Sequence, residues 1–389
     1  MTKRLYYDDS YLTSFDAAVV ASSSDRRIVY LDQTAFYPTS GGQSFDLGTL
    51  NGIPITDVLD EEDRVAHVLQ APLESDSVRG EIDWQRRFDN MQQHSGQHLL
   101  SAVLEELFGA KTVSVHMGSD ASTVDLAVPS LEAEQIRRAE RRANELVCAN
   151  RSLAVTYEDA AEAEGLRKAS ERSGTLRIVS IAGCDRSACG GTHVRATGEI
   201  GLILIRKLDK IRGIVRLEFL AGLRAAARAR ADYDALNRAA QAFSSALDEV
   251  PALAASQVER AAEADKARRK LAMELAQMQG RELFEKTEPD ASGIRRRSER
   301  YPKGPLDEDT RARAQSFVAA GKAVFLALTE EPATVMLACS ADSGLHAGNL
   351  LKPLLQQAGG RGGGNAQLAQ GSVPGRDALD SIASSLAAV

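Results

Sequence analysis

His94-Ser95-Gly96-Gln97-His98 and Cys189-Gly190-Gly191-Thr192-His193 decide how this chain is read. Each stretch offers a pair of metal-ligating side chains four positions apart. On a helix, residues i and i+4 project from one face, so His94 and His98 can hold one ion between two imidazoles. In the second stretch the paired glycines let the backbone curl back and bring a thiolate and an imidazole together. One sulfur and three nitrogens suit tetrahedral Zn2+ better than the oxygen-seeking Mg2+ or Ca2+. A lone His-x-x-x-His pair is more often core or surface than a ligand pair, and it is the second matched pair that turns the reading toward a shared ion. The alternative makes Cys189 a nucleophile with His193 as its base, which leaves His94 and His98 without a role.

Around the first pair, Met91, His94, His98, Leu99, Val103 and Leu107 recur at helical intervals and predict a helix over 86–108. Before it the text reads as short strands and turns. Ala18-Val19-Val20 and Ile28-Val29-Tyr30-Leu31 are β-type runs, and Asn51-Gly52 signals a hairpin turn between 47–50 and 53–55. After it, Ser130 is the expected N-cap of a helix reaching Asn150. Strand-like runs follow at 153–157, 177–181, 201–205 and 214–219, with the Cys-Gly-Gly-Thr-His turn between two of them. Beyond Gly222 the composition shifts to Ala, Arg, Glu and Lys. Leu236, Ala240, Phe243, Leu247 and Val250, then Leu271, Leu275 and Met278 after Pro251, are spaced as in two long helices forming a hairpin. Residues 288–305 read as a linker. The last segment has two buried-strand runs, 323–328 and 333–338, a helix near 347–358, a glycine loop Gly359-Gly360-Arg361-Gly362-Gly363-Gly364-Asn365, and a closing helix. The expected fold class is therefore α+β. It comprises an N-terminal β-barrel module (1–87), an α+β zinc-binding core (88–222), a long helical hairpin (223–287) and a small C-terminal α/β domain (288–389).

At 389 residues the chain is too long for one ordinary core. Its 43% hydrophobic and 26% charged residues are those of a globular protein. No apolar run approaches bilayer length and Met1 to Tyr7 contains no apolar h-region, so a cytoplasmic protein with no membrane partner is expected. Four cysteines in such a length do not make a disulfide framework. A net charge of −7 argues against a protein that coats nucleic acid indiscriminately, yet two local basic clusters stand out. Arg206, Lys207, Lys210, Arg212 and Arg216 face only Asp209, and Arg295, Arg296, Arg297, Arg300 and Lys303 face only Glu299. Either can meet phosphate, the bland reading being a solvated loop or linker.

Three motifs add up to a family. Asp32-x-Thr34-x-Phe36-Tyr37-Pro38 with Gly41-Gly42-Gln43, then Met91 to Leu100 around the histidine pair, then Cys189 to His193 with Thr197-Gly198-Glu199-Ile200-Gly201, resemble the editing domain of alanyl-tRNA synthetase. The likeness is closest to its free-standing relatives, the AlaX editing proteins. It covers about the first 220 residues. The helical pair and the stretch from Gly359 to Gln370 are similar to the rest of the long form of AlaX, including the C-Ala domain. Nothing resembles the synthetase's amino-acid-activating domain, so activity in trans is implied.

The resemblance implies a zinc-dependent deacylase that removes serine, or glycine, from mischarged tRNA(Ala). Such an enzyme has a physical reason to exist, because a pocket sized for alanine rejects an added hydroxyl weakly and a second site must finish the discrimination. By the same likeness His94, His98, Cys189 and His193 are the metal ligands. Thr34 and Gln43 are the leading candidates for the sieve, with Gly41, Gly42, Gln97 and Thr192 beside them. Arg206, Lys207, Lys210 and Arg212, and then Arg361, Gly362, Gly363 and Asn365, are the candidate tRNA contacts, and a homodimer through 223–287 or the C-terminal domain is the expected assembly. The ion can activate water, polarise the carbonyl or anchor the substrate's amino group. Four protein ligands, however, match a closed structural site. A tRNA-binding or dimerising factor with structural zinc, and an editor of Ser-tRNA(Thr), are the competing readings.

Overall fold

The computed structural model describes residues 1–169 and 173–387. The chain divides into two compact units, Met1–Ala239 and Ala240–Val389.

In the first unit, six strands close into a barrel. They are β1 (Ser14–Ser22), β2 (Ile28–Leu31), β3 (Gly48–Leu50), β4 (Ile53–Glu61), β5 (Arg64–Leu69) and β6 (Ser77–Ile82). Their spatial order is β1-β2-β5-β4-β3-β6. Inward residues alternate along each strand, so Phe15, Val29, Leu31, Leu50, Val58, Val65 and Val78 fill the interior. The expected Asn51-Gly52 turn joins β3 to β4.

Helix α1 (Trp84–Phe108) leaves the barrel, with the Asp83 carboxylate accepting from the Arg86 amide and left-handed Gly109 closing it. It packs Leu99, Leu100, Val103 and Leu104 against an antiparallel sheet and the helix over Ala133–Cys148. That sheet is built from β7 (Thr112–Met117), β8 (Ser122–Leu126), β12 (Ile203–Ile211) and β13 (Ile214–Ala221), in the order β12-β13-β8-β7. A smaller antiparallel sheet, β9-β10-β11, comprises β9 (Leu153–Asp159), β10 (Thr175–Ile181) and β11 (Asp185–Ala188). Helix α2 (Ala133–Cys148) starts later than expected. The capping residue is Glu132 rather than Ser130, because Gln135 reaches back to accept from the Glu132 amide at 2.8 Å. Helix α3 (Gly222–Phe243) follows β13 directly.

The polar side chains of α1 are buried along with the apolar ones. Gln92 donates to Glu199 O, Gln93 both donates to Ala221 O and accepts from its amide, and Ser95 accepts from the Val194 amide. Satisfied in this way, a polar helix can run through a core, and it fixes the chain around the second motif.

In the second unit, α4 (Val250–Lys286) carries Pro251 in its first turn, where a missing amide hydrogen costs nothing. Leu271, Leu275 and Met278 of its expected apolar stripe are more than half exposed. Two corrections follow. Residues 288–305 are not a plain linker, since they contain the edge strand β14 (Arg295–Lys303), paired in parallel with β15 (Ala323–Glu331). It escapes an apolar-periodicity reading because an exposed edge favours charge, and its cations meet Asp290, Glu330 and Asp380. Likewise Arg361–Gly364 is not a loop but strand β17 at the opposite edge, beside β18 (Leu368–Ser372). A side chain on Gly362 would strike Gly371 and Leu355, so the glycine there is required by packing. The sheet order is β14-β15-β16-β18-β17, with β16 spanning Thr334–Cys339. Helices α5 (Glu308–Ala319), α6 (Ala347–Gln357) and α7 (Arg376–Ala387) complete this α/β arrangement. No described helix is long and apolar enough to cross a membrane.

Candidate metal centre

His94 and His98 lie one turn apart on α1, and Cys189 and His193 occupy the loop that follows β11. Their ligand atoms all fall within 4.8 Å of one another. Cys189 Sγ is 3.4 Å from His94 Nε2 and 3.3 Å from His193 Nε2. A tetrahedron with bonds of about 2.0–2.3 Å has edges of ~3.5 Å, so this donor set fits a zinc-like ion. The four residues can hold a metal.

Each imidazole is oriented from behind. Gln43 Oε1 accepts from His94 Nδ1 at 2.8 Å, and Asp185 Oδ2 accepts from His98 Nδ1 at 2.9 Å. His193 Nδ1 meets Ser95 Oγ at 3.1 Å. With their Nδ1 atoms occupied, all three rings turn Nε2 toward the centre. Gln43 is itself locked, since Oε1 also accepts from the Thr192 amide and Nε2 donates to Thr192 Oγ1. Arg167 donates to the other oxygen of Asp185 at 2.7 Å.

Electrostatics prepare the set for a cation. Burial opposes the charge on Cys189, but His94 and His193 draw its thiol well below the ordinary range, toward the thiolate a metal needs. Burial likewise opposes a proton on His98, yet Asp185 and Cys189 prevail and push it up to about 9. His193 is pushed down to about 3 by burial and by the neighbouring His94. A metal entering the centre would displace the proton that the group keeps on His98.

Gly191 explains the glycine pair. A β-carbon there would fall inside van der Waals contact with the His94 ring, so only glycine lets the loop close over α1. Arg177, on β10, holds that loop by donating to Cys189 O at 2.7 Å and Gly191 O at 3.0 Å.

His94, His98 and Cys189 form part of the wall of a cavity of about 950 Å³. Gly41 and Gln97 also line it, whereas Gly42 backs onto the Val115 carbonyl. Thr34 is not brought to the cavity. Its hydroxyl is fully used inside the barrel, donating to His67 Nε2 at 2.8 Å and accepting from the Phe36 amide at 3.1 Å. Gln43 and Thr192 sit behind His94 rather than on the lining. Gln97 is placed otherwise. Its Nε2 donates to Ser101 Oγ, which Thr112 Oγ1 also contacts, and its Oε1 has no partner among the described residues.

The basic candidates fall in both units. In the first, Arg206 pairs with Asp232 and Lys207 with Asp209, while Lys210 and Arg212 lie at the β12–β13 hairpin. In the second, Arg361, Gly362 and Gly363 are exposed on β17. Asn365 Oδ1 accepts from the Gln367 and Leu368 amides, which is a turn-forming role. Sequence reading did not find Ser95, Asp185 or Arg177. Ser95 stands inside the first motif and Asp185 four residues before Cys189, but nothing in spacing alone marks an outer partner.

Comparison with known proteins agrees with this site. Residues 176–218 match the family model described as the threonyl and alanyl tRNA synthetase second additional domain, and residues 317–389 match the DHHA1 domain. The alanyl-tRNA editing protein AlaX-L of Pyrococcus horikoshii is 30% identical, over 96% of this chain and 95% of that protein. The chain belongs to the AlaX-L family of alanyl-tRNA editing proteins. It is also 32% identical to the alanine–tRNA ligase of Korarchaeum cryptofilum, over 97% of this chain and 44% of the ligase, so it spans less than half of that relative. The C-Ala domain of Aquifex aeolicus alanyl-tRNA synthetase aligns with 24% of the chain at 18% identity, with a TM-score of 0.22 that is too low to bear on the fold.

Proposed function

We propose that this protein is a zinc-dependent deacylase that releases serine, and glycine, from mischarged tRNA(Ala). The observation that carries the reading is the convergence of His94, His98, Cys189 and His193, the first three of them on the wall of a large cavity, within a chain of the editing family. Zinc held by His94, His98, Cys189 and His193 would supply Lewis acidity toward an ester carbonyl or a water. The protein's part is to hold the ester in place. Asp185, Gln43 and Ser95 keep the three rings aimed, and Arg177 keeps the Cys189 loop closed. None of His67, His116 and His346 lines the cavity, so the chain offers no other imidazole as a base there.

Gln97 is the group that tells serine from alanine in this reading. Its amide is pinned through Ser101, and the free Oε1 accepts the seryl hydroxyl. An alanyl ester that shuts water out of the cavity leaves that oxygen without a partner, a cost of about 1–3 kcal/mol. Gln43 and Thr192 then serve the site by orienting His94, and Thr34 serves the packing of the barrel.

The test is release of serine from Ser-tRNA(Ala). His98→Ala, or removal of zinc by a chelator, should abolish it, and undiminished hydrolysis by metal-free protein would overturn the proposal. Gln97→Ala should lower kcat/KM for the seryl substrate by about 10–100-fold while leaving the slow alanyl reaction nearly unchanged. The four-ligand count favours one competing reading, a tRNA-binding factor with structural zinc. Tight retention of tRNA in filter binding with no turnover would establish that instead.

A further inference from the structure

Across the small sheet, strand register sets three residues in a row. Tyr157 on β9 pairs with Arg177 on β10, and the Cys189 amide donates to Arg177 O at 3.0 Å. Adjacent strands lie ~4.8 Å apart, so Tyr157 stands about 10 Å from the metal-ligating cysteine. Both line the same cavity. The tyrosine ring is held in place by its hydroxyl, which donates to Tyr7 O, yet the residue remains 51% exposed. Val155, two positions back on the same face of β9, is 40% exposed and extends the apolar surface. Arg177 donates through Nη1 to the backbone of the cysteine loop and through Nε to the Tyr7 O that Tyr157 also meets, so it ties the row together.

A cavity of about 950 Å³ is far larger than a seryl group requires. If the ester lies against Cys189 and the imidazoles, the ribose that carries it occupies the next stretch of cavity, and the attached base reaches the distance at which Tyr157 stands. We propose that Tyr157 is the platform on which the terminal purine of the acylated RNA stacks, an inference that rests on the deacylase reading for the placement of the ester. Stacking on an aromatic face is indifferent to the rest of the RNA sequence, which suits a terminal base.

The probe is serine joined by an amide to 3′-amino-3′-deoxyadenosine, which binds without being cleaved. Calorimetry on the metal-loaded protein should show Tyr157→Ala binding it ~10–100-fold more weakly than the wild type, with Tyr157→Phe and Tyr157→Trp retaining affinity. Serinamide, which lacks the nucleoside, should bind the wild type and Tyr157→Ala alike. Equal affinity of wild type and Tyr157→Ala for the nucleoside probe would overturn the platform, as would an equal loss for serinamide. Deacylation of seryl-tRNA by the same preparations separates the two readings. Hydrolysis without any dependence on Tyr157 removes the platform and keeps the deacylase, whereas Tyr157-dependent binding without hydrolysis supports the platform and removes the deacylase.

Discussion

Asp185 is the residue whose removal should reveal most about the centre, because it gives His98 a charged outer partner and is itself braced by Arg167. Asp185→Ala should weaken metal affinity by about 10–100-fold, read by competition with a chromogenic chelator, while Asp185→Asn retains more. His67 makes a different prediction. Enclosed in the barrel, it is pushed down to about 4 from 6.5 by burial, so the folded protein refuses a proton that the unfolded chain accepts. Its contribution is therefore intact above pH 6.5 and is lost as the pH falls toward 4, by about 3 kcal/mol in all. Urea unfolding followed through Trp84, the single tryptophan, should show a steeper loss over that window for the wild type than for His67→Asn. Equal slopes would show that another group governs acid sensitivity. The four ligands were legible as residues because ligation demands particular atoms at particular spacings. Their outer partners were not, since serine, aspartate and glutamine are common and their spacing to the ligands is set only by folding.

At the level of elements, α1 is the member on which the site is assembled, and its first turn is anchored by an ion pair out of water. Arg87 and Asp46 are both fully buried, with Nε 3.0 Å from each carboxylate oxygen and Nη1 donating to Ser10 O. Asp46→Ala leaves a charged guanidinium without its counterion and should cost about 3–5 kcal/mol, measurable as a fall in Tm. The paired change Asp46→Leu with Arg87→Met should recover part of the loss. Gly191→Ala should act at the metal centre itself, lowering metal content after purification with a smaller effect on unfolding, because the added methyl meets the His94 ring. Helices α1 and α6 and strands β15 and β16 were foreseen because periodicity reports burial directly, whereas helix α5 and strands β7 and β8 went unread. Strand β14 and strand β17 were not foreseen either, since an edge rich in arginine and a run of glycine carry no apolar alternation. The hydroxyl of Thr34, another motif residue, meets a buried histidine in the barrel.

For the whole molecule, the division into two compact units separates everything known of the metal centre, which lies in Met1–Ala239, from the glycine-edged sheet of Ala240–Val389. Truncation after Phe243 should thus keep metal binding while weakening tRNA affinity in filter binding more than it slows hydrolysis at saturating substrate. Unchanged affinity would place the RNA contacts wholly on the first unit.

Gln43 belongs to the barrel segment of the chain, yet it sets the tautomer of His94 and pins Thr192. A shortened protein beginning at residue 88 would keep every ligand and lose the hand that steadies one of them. Such a fragment should take up metal poorly and release it readily. Recombination that exchanged the barrel for an unrelated one would therefore silence the centre without touching a single coordinating atom.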